Sequence, residues 1–93
     1  MTDKNRNAEE LADRLYRELE ATEELPVDRT ASRWIGEAQA VADAIRGDVP
    51  EEVRREGAGD VVRLLSEVEG TGDGRADERV REARKLAETL AQT

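Results

Sequence analysis

The sequence predicts an all-α fold, a small four-helix bundle-like domain with short loops. Three observations predict it. Apolar residues recur at three- and four-residue intervals through most of the chain, which collects them on one side of a helix wound at about 100° per residue. β-Branched residues never alternate with polar ones for more than a few positions, so no half-buried strand is legible. Proline and glycine cluster between the periodic stretches and divide the chain into segments of helix length. At 93 residues there is room for one domain, close to the smallest size at which an apolar core suffices without a disulfide or metal. The expected domain spans 1–93, with residues 1–6 and 92–93 as disordered ends.

The first helix is expected from Ala8 to Glu24. Ala8, Leu11, Ala12, Leu15 and Leu19 form its apolar stripe, with Thr22 on the same line and Tyr16 at the edge. On the other face Glu10 precedes Arg14, and Asp13 precedes Arg17, at the four-residue spacing that supports a helix weakly. Leu25-Pro26-Val27-Asp28 ends the segment, because proline disfavours helical geometry in the residue before it, and Asp28 or Thr30 can cap the next helix. That second helix has the clearest stripe: Ala31, Trp34, Ile35, Ala38, Val41, Ala42 and Ile45 fill an arc of about 120°. Gly47 is placed to stop it.

Asp48-Val49-Pro50-Glu51-Glu52 reads as a restart, with proline at the first helical position and carboxylates near the positive end of the helix. Gly57-Ala58-Gly59 is expected to break this third helix, which resumes through Val61, Val62, Leu64, Leu65 and Val68 to Gly70. The linker Gly70-Thr71-Gly72-Asp73-Gly74 is expected to be the most flexible stretch, with Asp73 as N-cap of the last helix. That helix carries Ala76, Val80, Ala83, Leu86, Ala87, Leu90 and Ala91 on one side. Leu15, Leu19, Trp34, Ile35, Ala38, Ile45, Leu65, Val80, Ala87 and Leu90 are the expected core.

Charge is the most unusual feature of the composition. Asp, Glu, Lys and Arg make up 41% of residues, the net charge is −8, and all the cations except Lys4 and Lys85 are arginine. There is no phenylalanine and one tryptophan. An acidic, lysine-poor, Ala- and Val-rich chain of this kind resembles small uncharacterised acidic proteins of halophilic archaea, in composition and style. At molar salt the Debye length falls to about 3 Å, so anionic self-repulsion costs little and net charge maintains solubility. A GC-rich genome explains part of the same composition, but not the acidity. The N-terminal residues carry no apolar leader and no long apolar run comes after them, so no membrane segment is expected and the cytoplasm is the default location.

The same composition narrows the chemistry. With no cysteine and no histidine, thiolate metal sites, thiol nucleophiles and Glu-x-x-His di-metal pairs are excluded. No cofactor is expected. The carboxylates fall on polar helix faces, where solvation favours ordinary ionised behaviour, so a carboxylate-dependent enzyme is the third reading. No Gly-Lys-Ser/Thr follows the Gly70–Gly74 loop and no strand precedes it, as a phosphate cradle requires, and Asp73, Asp77 and Glu78 would repel a phosphate there.

A nucleic-acid-associated regulator is the alternative function, although nucleic acid is disfavoured as a partner. Its candidate residues are Arg75, Arg79, Arg81, Arg84 and Lys85 of the last helix, which are interleaved with Asp77, Glu78, Glu82 and Glu88. A helix-turn-helix over Glu51–Val68 is the other form it could take, with only Arg63 against Asp60, Glu67 and Glu69 on its reading helix. The leading function is a non-enzymatic helical interaction module, a subunit or adaptor that binds a protein partner or forms a homo-oligomer. Its candidate surface is the ridge Gly36, Ala40 and Ala44 on the back of the second helix. Either that helix is central to the fold, with its own neighbours on both faces, or the ridge meets another chain. The first is the preferred reading.

Overall fold

The structure is a computed structural model that describes residues 3–92. Its elements are α1 (Asp3–Glu20), a 3-10 turn (Ala21–Glu24), α2 (Arg29–Ala44), α3 (Glu51–Ser66) and α4 (Gly74–Gln92). No strand occurs among the described residues. The N-terminal helix begins before Ala8, so residues 3–6 and Gln92, expected to be disordered, lie within helices. Residues 1, 2 and 93 fall outside the described part of the chain.

The helices pack in a ring, α1 on α2, α2 on α3, α3 on α4 and α4 back on α1. Their directions follow from side-chain contacts. Arg54, in the first turn of α3, reaches the carbonyls of Ile45 and Gly47 at the end of α2, so α2 and α3 are antiparallel. Arg79, early in α4, pairs with Glu18, late in α1. The Asp28 N–H donates to the Thr71 carbonyl at 2.8 Å, bringing the starts of α2 and α4 together. The result is an up-down-up-down bundle of 43 × 18 × 17 Å. Its narrow section reflects a core with many small residues: Ala12, Ala31, Ala38, Ala42, Ala58, Ala83 and Ala87 are buried between Leu15, Leu19, Ile35, Ile45, Val61, Leu65, Val80 and Leu90.

The caps agree with the local chemistry. Asp28 accepts from the Ala31 N–H at 2.8 Å, and Asp73 accepts from Arg75 and Ala76 at 2.9 and 3.0 Å. Gly47 ends α2 at φ +74°, a conformation that glycine adopts without a Cβ penalty.

Three expectations are corrected. Gly57-Ala58-Gly59 does not break the third helix, which runs unbroken from Glu51 to Ser66. Gly57 is instead a packing residue: a Cβ there would collide with Ile45 Cγ2, so its absence lets α3 lie close against α2. The same continuity removes the helix-turn-helix over Glu51–Val68. Trp34, expected to be mostly buried, keeps part of its ring in solvent at the edge of the α2 stripe, where the Arg33 guanidinium lies 5.8 Å from its ring centre.

The Gly70–Gly74 linker, expected to be flexible, is tied at several points. Thr71 is fully buried. Its N–H donates to Asp77 Oδ1 at 2.9 Å, its hydroxyl oxygen accepts from the Asp73 N–H at 3.1 Å, and its one hydroxyl proton has Asp77 Oδ1 and the Asp73 carbonyl as acceptors, each at 2.8 Å.

Candidate interaction face

The ridge residues Gly36, Ala40 and Ala44 are all exposed, and a Cβ added at Gly36 would meet nothing within 4 Å. The preferred reading, in which the domain's own helices cover both faces of α2, is therefore overturned: α2 packs on α1 and α3 and turns the ridge outward. This geometry follows from periodicity. Ala31, Ile35, Ala38 and Ala42 take the inward arc, and positions offset by about half a turn face solvent. Arg33, Glu37 and Asp43 flank the ridge and are exposed as well. The Arg33–Glu37 pair, at 3.7 Å, is a loose solvent-facing contact of little energetic weight.

Beside the ridge, on the α3 side, lies an open groove of about 520 Å³ lined by Trp34, Val41 and Leu64, with Asp60, Arg63 and Glu67 at its rim. Arg63 pairs with Asp60 across one turn of α3. Ala44 sits about 60° round α2 from Val41. Ridge and groove are neighbours on α2, with the exposed Glu37 standing between Ala40 and the groove.

The five cations named for nucleic acid are all exposed but are not gathered into one patch. Arg75 pairs with Asp73 at 3.5 Å, Arg79 with Glu18 at 3.1 Å and Arg84 with Glu88 at 3.5 Å. Arg81 and Lys85 form no ion pair among the described residues. Arg75 and Arg79 line a groove of about 510 Å³ between α1 and α4 together with Glu18, Glu78 and Glu82, so its charges sum to −1 and give a phosphate no net attraction.

Asp13 and Asp73 have displaced titration, both downward. Asp13 is held below its usual range by hydrogen bonds from Arg17 and then Arg46. Asp73 is lowered first by the Ala76 backbone N–H that it caps. A general acid requires the opposite displacement. No group of side chains among the described residues is arranged to hold a metal ion, and no helix among them is long and apolar enough to cross a membrane.

Sequence reasoning missed Arg54, Gly57 and Thr71. Arg54 is buried and donates through Nε to the Ile45 carbonyl at 3.3 Å and through Nη2 to the Gly47 carbonyl, satisfying the end of α2. A signal for it existed: Arg54 shares the spacing of Ala58, Val61 and Leu65 and so falls on the inward stripe of α3. Gly57 and Thr71 gave no comparable signal, because their roles depend on which elements meet.

Residues 11–93 match the family model described as Domain of unknown function (DUF8152), and the chain belongs to that family. No curated protein and no solved structure matches it.

Proposed function

We propose that this member of the DUF8152 family is a non-enzymatic helical interaction module, which offers the outward face of α2 to a helix of a protein partner or of a second copy. The observation that carries the proposal is the exposure of Gly36, Ala40 and Ala44 beside the Trp34–Val41–Leu64 groove. A face with no side chain longer than a methyl group along its centre lets another helix approach to about 8 Å between axes. The neighbouring tryptophan supplies the large, partly exposed aromatic surface that anchors protein interfaces. The acidic, arginine-biased composition supports the further reading that the module works in the cytoplasm of a halophilic archaeon.

Ala40→Arg tests the interaction. The site faces solvent in the single chain, so helicity should be kept and the unfolding free energy should change by less than about 0.5 kcal/mol. The mass of the assembled species, measured by light scattering in molar KCl, should fall, or a co-purifying partner should be lost. Unchanged mass together with unchanged partner recovery would show that the ridge is only helix-forming alanine.

A further inference from the structure

The four seams of the bundle are not closed alike. Between α2 and α3 the closure is apolar and close, with Gly57 against Ile45 and Val41. Between α1 and α2 it is less extensive than at any other neighbouring pair, and much of its outer edge is polar. Arg46, just past the end of α2, donates to Asp13 of α1 at 2.9 Å and to Asp43 at 3.1 Å, and its guanidinium lies 4.2 Å from the centre of the Tyr16 ring. Gln39 donates to Glu23 nearer the other end.

Chain connectivity makes the two ends of this seam different. At one end residues 21–28 join α1 to α2, and the Asp28–Thr71 hydrogen bond fastens that link to the start of α4. At the other end no covalent link joins the two helices, and Arg46 spans the gap. The stripe of α1 weakens in the same direction: Leu15 and Leu19 lie toward the link, whereas Ala8, Leu11 and Ala12 lie toward the free end. Two of those three are alanine, so separation there exposes less apolar area per turn.

We propose that Arg46 is a latch on the free end of the α1/α2 seam, and that the bundle opens there as a wedge about the 21–28 link, with α1 remaining on α4 and α2 on α3. The opening uncovers the inner faces of α1 and α2 without global unfolding. The proposal does not rest on the interaction reading, since it concerns the inner faces and not the ridge.

The absence of cysteine from the chain allows a direct test. Ala12→Cys places a thiol on the α2 side of the α1 stripe, and Ala58→Cys places one in α3; both alanines are fully buried. Maleimide labelling of the folded variants should be faster at residue 12 than each variant's own unfolding equilibrium allows, and at residue 58 limited by that equilibrium. Adding Arg46→Met should raise the rate at residue 12 about tenfold more than at residue 58, with Arg46→Lys in between. Equal acceleration at both positions, or labelling at residue 12 only through global unfolding, would overturn the latch.

Discussion

Helix α2 meets its two neighbours by opposite means. Toward α3 it and the residue after it present Val41 and Ile45 to a glycine, and a buried arginine from α3 binds the carbonyls of Ile45 and Gly47 just beyond its end. Toward α1 its outer edge carries Gln39 and Arg46, which reach Glu23, Asp13 and Tyr16 through hydrogen bonds, an ion pair and a cation over a ring. A chain without phenylalanine has few large side chains with which to fill a core. The α2/α3 seam solves this by bringing the helices close; the α1/α2 seam solves it by covering a thinner apolar layer with charge pairs. Contacts of the first kind are insensitive to salt, whereas those of the second are exposed and screened.

The largest effect should come from the close-packed seam. Ile45 is 2% exposed, and Ile45→Ala should cost about 2–5 kcal/mol in denaturant unfolding. A cost below about 1 kcal/mol would erase the distinction between the seams. The two glycines of α3 sharpen the point. Gly57→Ala drives a methyl group into Ile45 and should destabilise by about 1–3 kcal/mol. Gly59→Ala, with nothing within 4 Å of the new methyl, should stabilise by about 0.5–1 kcal/mol through helix propensity. Equal signs for the two would mean that the glycines act on the helix alone and not on the seam.

Salt sets two terms against each other. It weakens the exposed pairs of the α1/α2 seam, each worth at most about 1 kcal/mol. It also relieves repulsion among a surplus of eight negative charges, which at about 0.01 M salt reaches across the whole domain because the Debye length is about 30 Å. The second term should win. Far-UV melting midpoints should therefore rise from tens of millimolar to molar KCl, and a flat or falling series would make the polar seam the dominant electrostatic feature.

The smallest effect concerns pH. The folded state holds Asp13 and Asp73 below the usual carboxyl value of 3.8, so each binds protons less readily when folded than when unfolded. The stability they confer is present above pH 3.8 and is lost as pH falls through their lowered values. With no histidine in the chain, unfolding free energy should change little from pH 8 to 5.5 and fall in the acid range. Asp13→Asn should reduce the part of that fall that belongs to the α1/α2 seam.

The sequence by itself determined the helices, most of their ends and nearly all of the core. Each of these depends on residues near in the chain: a stripe at 3.6-residue spacing, a carboxylate preceding a helix, a glycine beyond one. The candidate ridge was legible for the same reason, since Gly36, Ala40 and Ala44 share one face by spacing alone. Whether that face was covered was not legible, because exposure depends on which helices lie beside α2. Tertiary structure packed α1, the 3-10 turn and α3 against α2 and left the ridge outward. It also decided the fate of Gly57, which propensity reads as a breaker and close packing retains within a helix. Thr71 and Arg54 are the same lesson at longer range. Their partners lie on other elements, and a hydrogen bond between distant parts of the chain has no period along the sequence.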